Sequence, residues 1–183
     1  MDEPVEPDPN RPPAPPLPAA PLDVEEAARR FENALGLFAT AAEAEDELDA
    51  SGATLLDDAA RLTEDVLTET DFCFAIPFLL QTWFALVPRG CRAPEIHFDD
   101  LEQDFTASLR QLQACAEART PKKLESFFQT GPQPELMLVL LSAFFEAATT
   151  APKKIRPRLE AQPVILALLK SVVKQLDEVL GHQ

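Results

Sequence analysis

Residues 121–145 of the chain read PKKLESFFQTGPQPELMLVLLSAFF, and residues 152–176 read PKKIRPRLEAQPVILALLKSVVKQL. The Pro-Lys-Lys start and the later Gln-Pro occur in both stretches, and each Gln-Pro leads into an apolar run. Repetition at a period of roughly 30 residues is typical of stacked helical hairpins, which usually present a surface to other molecules. The repeat therefore predicts solenoid-like helical hairpins toward the C-terminus.

The composition also favours helices. The chain has 183 residues, of which 46% are hydrophobic, with 5 glycines and no tyrosine. That apolar share excludes disorder throughout, and many Ala and Leu residues with few β-branched runs favour helix over sheet. We expect an all-α fold, a compact antiparallel helical bundle with HEAT- or TPR-like hairpin repeats in residues 121–145 and 152–176.

Proline divides the chain into two parts. Residues 1–21 contain 9 of the 18 prolines and show no hydrophobic period, which predicts a disordered, acidic, Pro-rich tail. Within it, RPPAPPLP at residues 11–18 has overlapping Pro-x-x-Pro patterns of the kind that docks in aromatic grooves. Residues 22–183 are predicted to form a single all-helical domain.

Capping and spacing signals place the helices. The first is predicted to begin after Asp23 and to continue through the acidic residues 43–47 to Gly52. Residues 72–87 are apolar on all sides, which predicts a central helix with Pro77 in its first turn or at a kink. The remaining predicted helices begin near Thr54, Asp99, Pro121, Pro134 and Pro163.

Charge is distributed unevenly along the chain. Residues 1–118 carry 7 Lys+Arg against 25 Asp+Glu, whereas residues 119–183 carry 9 against 6. The acidic part repels nucleic acid and anionic membranes, so we expect a protein partner with an acidic surface at the C-terminal end. The predicted basic ridge consists of Lys122, Lys123, Lys153, Lys154, Arg156 and Arg158. The alternative is that these side chains are solvated or neutralise the acidic part.

The chain start and the cysteines indicate a reduced, cytoplasmic protein. The N-terminus lacks the basic and apolar segments of a signal peptide, and residues 72–87 fall short of the ~20 residues of a membrane span. Cys73, Cys91 and Cys115 form no Cys-x-x-Cys pair, which argues against a disulfide framework and a zinc site. Cys73 and Cys115 are predicted to be core residues, and Cys91 the more reactive thiol.

Two phenylalanine doublets predict a second interface. Neighbouring residues on a helix lie about 100° apart, so Phe127-Phe128 and Phe144-Phe145 cannot all face a narrow core. We predict that one of each pair, Phe128 and Phe145, lies in a homodimer contact or a partner groove. The alternative is a wide buried face.

Enzymatic alternatives rest on two short motifs. Arg92, followed by His97, resembles the motif of HEPN-type ribonucleases, and that resemblance implies metal-independent RNA cleavage in an all-helical dimer. Here Ala93 and Pro94 place the pair in a loop. The acidic run from Asp99 to Asp104 is similar to the aspartate-rich motif of helical isoprenoid synthases, which implies magnesium. With two histidines and no triad, we predict no catalytic residue, metal or cofactor.

Three hypotheses follow. The leading one is a non-enzymatic protein–protein interaction module, such as an adaptor, a chaperone-like factor or an assembly or regulatory subunit. The second is an acidic regulatory or inhibitory protein that acts through its negative N-terminal half. The third is a small all-helical hydrolase or ribonuclease.

Overall fold

The computed structural model describes residues 20–36, 38–117 and 126–181. These residues form seven long helices and a helical turn at 126–129, with no strand among them, which confirms an all-helical bundle. The helices are α1 (Val24–Gly36), α2 (Ala41–Ala50), α3 (Leu55–Thr63), α4 (Glu69–Leu86), α5 (Phe98–Glu117), α6 (Pro134–Thr150) and α7 (Ala161–Gly181).

Helices α4 and α7 lie at the centre of the bundle. Helix α6 packs on α1, α1 on α4, α4 on α7 and α7 on α5, while α2 and α3 lie against α4. Trp83, Leu79 and Leu80 of α4 are buried, and each contributes roughly 1.5–3 kcal/mol by leaving water. The prediction of a central apolar helix is confirmed, because α4 contacts most other helices.

The start of α4 lies earlier than predicted. The Thr68 hydroxyl accepts a hydrogen bond from the Asp71 N–H, and the Asp71 carboxylate accepts one from the Thr68 N–H. This reciprocal cap begins the helix at Glu69. Pro77 therefore lies inside α4 and not in its first turn.

The single first helix predicted up to Gly52 is wrong, since α1 ends at Gly36 and α2 begins at Ala41. The Asp23 cap itself is confirmed, because its carboxylate accepts the Glu26 N–H at 2.9 Å. The break occurs where the Thr40 hydroxyl accepts the Glu43 N–H at 3.2 Å. In return, the Glu43 carboxylate accepts the Ala39 N–H at 2.7 Å.

The predicted cap at Asp99 is also wrong. Helix α5 begins at Phe98, and the His97 carbonyl accepts the N–H groups of Asp100 and Leu101 at 3.1 Å. Asp99 therefore lies in the first helical turn, where a carboxylate favours the positive end of the helix dipole.

The stacking of two repeat copies is not confirmed. Pro134 opens α6, whereas Pro163 follows two helical residues of α7. Helix α6 packs mainly on α1, while α7 packs mainly on α5 and α4. Residues 121–125 of the first copy lie outside the described residues.

Gln133 joins the segment before α1 to the rest of the bundle. Its side-chain oxygen accepts the N–H of buried Leu22 at 2.9 Å, and its amide donates to the Asp177 carboxylate at 2.5 Å. These bonds attach Leu22 to the N-terminal end of α6. The predicted tail at residues 1–21 lies outside the described residues, apart from residues 20 and 21.

Candidate partner-binding site

An apolar groove of about 590 Å³ lies between α4 and the C-terminal end of α6, and we term it the α4–α6 groove. Its third side is the loop at residues 151–160, which joins α6 to α7. Its lining includes Glu69, Cys73, Phe74, Pro77 and Phe78 of α4, Ala147 of α6, and Lys154 and Ile155 of the loop.

Aromatic packing fixes one wall of this groove. The ring centroids of Phe74 and Phe78 lie 5.6 Å apart, and those of Phe74 and the fully buried Phe144 lie 5.7 Å apart in an edge-on arrangement. Such pairs contribute ~0.5–1.5 kcal/mol beyond their burial. The wall is therefore formed before any ligand arrives.

Pro77 and Cys73 give this wall a polar element. Proline has no N–H, so Pro77 cannot donate the helical hydrogen bond to the carbonyl of Cys73. The Cys73 side chain is exposed, so its prediction as a core residue is wrong. Its helical spacing fits the apolar run, but this position of α4 faces the groove and not the bundle.

A buried carboxylate attaches the loop to α4. Asp71 is 1% exposed, and it accepts hydrogen bonds from the Arg158 N–H at 2.9 Å and the Arg158 Nε at 2.7 Å. Burial raises the pKa of Asp71, but hydrogen bonds from Arg158 and Thr68 outweigh it and lower the pKa to about 2. Arg158 also donates to the Val66 carbonyl at 3.0 Å. Its guanidinium therefore serves the fold.

Arg156 joins the other end of the loop to α6. Its Nη2 donates to the carbonyls of Thr149 and Ala151, each at 2.8 Å, at the negative end of the α6 dipole. The N–H groups of Ile155 and Arg156 bond to the Pro152 carbonyl, which closes a turn. The loop is thus fixed at both ends.

The residues of the predicted basic ridge differ in their contacts. Lys153 and Lys154 are exposed, and no ion pair among the described residues includes either of them. Arg156 and Arg158 make structural contacts instead, and Lys122 and Lys123 lie outside the described residues. What remains described of the ridge is an exposed lysine pair in the loop, of which Lys154 lines the groove.

Two exposed apolar side chains beside the lysines were missed by the sequence argument. Ile155 is 55% exposed and Leu159 is 81% exposed, although both are large aliphatic residues. The available signal was their position in a loop between Pro152 and the start of α7, where a helical period cannot bury them. Ile155 lines the groove next to Lys154, so the loop presents an apolar and a basic group side by side.

The phenylalanine doublets behave differently from each other. Phe128 is fully buried and packs edge-on against buried Phe127 at 4.8 Å, so the interface role predicted for Phe128 is wrong. The Lys170 ammonium lies over the Phe127 ring and donates to the Phe127 carbonyl. Phe145 is 41% exposed beside buried Phe144, so its role in a second interface stays a prediction.

The residues of the enzymatic alternatives lie elsewhere. Residues 92–97 are not helical, and Arg92 lines a second cavity of about 680 Å³ together with Asp58 and Glu95, whereas His97 is not part of its lining. Asp104 of the acidic run accepts hydrogen bonds from Lys174 and Gln175. Within residues 20–36, 38–117 and 126–181, no three His, Cys, Asp or Glu side chains are close enough to share a metal ion.

No family model matches the sequence, and neither a curated protein nor a solved structure matches it. None of the helices in the described ranges has both the length and the apolar character needed to cross a membrane. The functional argument therefore rests on the α4–α6 groove.

Proposed function

We propose that this protein is a non-enzymatic protein–protein interaction module, an adaptor or assembly subunit of the cytoplasm, that binds a segment of another protein in the α4–α6 groove. The observation that carries the proposal is a preformed apolar groove lined by exposed Lys154, which, like its exposed neighbour Lys153, has no ion-pair partner among the described residues. Apolar grooves rimmed by polar groups are a common form of binding site for a segment of another protein.

The groove defines the chemistry of its partner. Phe74, Pro77 and Phe78 favour an apolar side chain as the anchor. Lys153 and Lys154 favour carboxylates next to that anchor. The partner segment is therefore apolar at its centre and acidic at one end.

The two parts of the site contribute differently to binding. A desolvated anchor contributes ~2 kcal/mol or more, which corresponds to about a 30-fold change in affinity. The lysines lie in water, so they mainly raise the association rate and lose effect as salt screens them. Replacing the apolar side chain of Ile155 and reversing the charge at Lys154 should therefore together abolish stable binding.

The test compares three immobilised proteins in native lysate, with bound proteins quantified by mass spectrometry at low and moderate salt. The baits are the wild type, the groove variant Lys154→Glu/Ile155→Glu, and the control variant Arg110→Glu/Val24→Glu. The control makes the same changes at an exposed arginine and an exposed valine outside the groove. Circular dichroism verifies that all three are folded.

We expect the same partner on the wild type and the control, and at least about tenfold less on the groove variant. Equal recovery on all three baits would contradict the proposal. Recovery that survives the groove changes and falls with salt would favour the acidic N-terminal half as the binding surface.

A further inference from the structure

We propose that residues 11–18 of the same chain occupy the α4–α6 groove when no partner is bound, with the acidic residues 2–8 against Lys153 and Lys154. The inference rests on the proposed function, because a partner would bind by displacing this segment. The N-terminal part of the chain thereby makes an autoinhibitory contact, and residues 11–18 are the occupant of the groove.

The chemistry of the segment matches the apolar wall. Residues 11–18 read RPPAPPLP, with five prolines and Leu17. Proline-rich segments dock on aromatic walls, such as the one formed here by Phe74 and Phe78, and they lose little conformational entropy because each proline ring already fixes φ. They also contribute few N–H groups that would need a partner on an apolar surface.

The charges match as well. Residues 1–19 carry four carboxylates and one arginine. These carboxylates are complementary to Lys154 in the groove lining and to its neighbour Lys153, which have no ion-pair partner among the described residues. Arg11 in turn complements Glu69, the carboxylate that lines the groove on α4. The four carboxylates belong to Asp2, Glu3, Glu6 and Asp8.

The chain is long enough to bring these groups to the groove. Leu22 is bonded to Gln133 at the start of α6, and the groove begins at Ala147, about 20 Å away along the helix. At about 3.1 Å per residue for an extended proline-rich chain, residues 18 to 11 reach from about 12 to about 34 Å beyond Leu22. Fully extended, residues 8 to 2 would lie about 43 to 62 Å from Leu22, so this stretch is long enough to turn back onto the lysines that follow the end of α6. The tether also supplies an effective concentration in the millimolar range, so a weak contact suffices.

Cys73 is a native reporter of this contact, because its exposed thiol lies in the groove. The experiment measures the rate at which N-ethylmaleimide alkylates Cys73 in the full chain, with peptides resolved by mass spectrometry and Cys91 as the internal reference. One variant neutralises the carboxylates (Asp2→Asn, Glu3→Gln, Glu6→Gln, Asp8→Asn). A second removes prolines from the docking segment (Pro12→Ser, Pro13→Ser, Pro15→Ser, Pro16→Ser). Its matched control changes prolines outside the segment (Pro4→Ser, Pro7→Ser, Pro9→Ser).

A groove covered in about four-fifths of the molecules slows Cys73 about fivefold. We therefore expect Cys73 to react about fivefold faster in both variants than in the wild type and the control, with Cys91 unchanged. Equal Cys73 rates in all four proteins would overturn the inference. Protection that increases with protein concentration would also overturn it, since that would identify a second copy as the occupant.

The two proposals can be contradicted independently of each other. If the groove variant loses its partner while the tail variants leave the Cys73 rate unchanged, the binding function stands and the intramolecular contact is wrong. If the tail variants speed up Cys73 while the groove variant keeps its partners, the contact stands and the proposed function is wrong.

Discussion

At the scale of single residues, the geometry of the groove depends on Asp71. This carboxylate is buried at the start of α4 and bonds to Arg158 across 87 positions of sequence. Apolar spacing predicted a helix that begins at residue 72, so it missed the capping pair of Thr68 and Asp71, and no local pattern shows that the N–H of Arg158 bonds to the same carboxylate. The partner-binding role predicted for Arg158 stays a prediction, although its guanidinium bonds to Asp71 and to the Val66 carbonyl.

We predict that Asp71→Asn lowers the free energy of unfolding at pH 7 by about 2 kcal/mol, because the neutral amide loses the charge-assisted hydrogen bonds that the carboxylate accepts from Arg158 and Thr68. Asp99→Asn, at an exposed position of the first turn of α5, is the matched control, with an expected loss below ~1 kcal/mol. Urea denaturation measures both. Equal losses in the two variants would contradict the role given to Asp71.

The same carboxylate predicts acid sensitivity. The pKa of Asp71 is lowered from its ordinary 3.8 to about 2 in the folded chain. Its ionised form therefore stabilises the fold above pH ~4, by about 2 kcal/mol, and this contribution is lost as the pH falls toward 2. The stability difference between the wild type and Asp71→Asn should shrink over that interval. A difference that stays constant from pH 5 to pH 2 would show that the carboxylate does not titrate as described.

Lys170 predicts the opposite pH dependence. Burial lowers the pKa of Lys170 from 10.5 to about 8, against a smaller upward effect of Cys115. The unfolded chain then binds the proton more tightly than the folded chain, so this residue makes the fold more stable as the pH rises from about 8 to about 10.5. Lys170→Met should lose that rise in urea denaturation, whereas Lys174→Met should keep it. The pKa of Lys174 is raised by its hydrogen bond to Asp104, so its own effect lies above this interval.

At the scale of helices, apolar spacing predicted where most helices lie, and side-chain caps decided where they end. The stripe from Ala27 to Phe38 continues smoothly past Gly36, so spacing alone predicted one helix where the structure has α1 and α2. Thr40 and Glu43 make a local start signal that the acidic run concealed. The two repeat copies likewise have similar sequences, but their helices pack against different neighbours.

We predict that Thr40→Ala lowers the free energy of unfolding by about 1 kcal/mol, because it removes the cap of α2. Thr54→Ala is the control, since Thr54 precedes α3 but makes no side-chain cap hydrogen bond. Thermal unfolding should show a clear decrease for the first variant and a smaller one for the second. A larger effect of Thr54→Ala would contradict the assignment of the break to the cap.

At the scale of the whole molecule, the charge asymmetry and the helical class could be read from the sequence, and the groove could not. Lys153 and Lys154 were predicted to lie on a surface ridge, because the lysine pairs occupy equivalent places in the two repeat copies. The groove itself requires Phe74 of α4 and Ala147 of α6 to lie together, and no local pattern relates residues so far apart. Pro77 contributes in a way that only the structure shows, by depriving one helical carbonyl of its donor within the groove wall.

The central claim is that the α4–α6 groove binds a segment of another protein, and site-specific photo-crosslinking tests it most directly. A benzoylphenylalanine replaces Ile155 in one bait and Val24, an equally exposed apolar residue outside the groove, in the other. After irradiation in native lysate, we predict a discrete adduct with one other protein at position 155 and none at position 24. No intermolecular adduct at position 155, or the same adducts at both positions, would contradict the account.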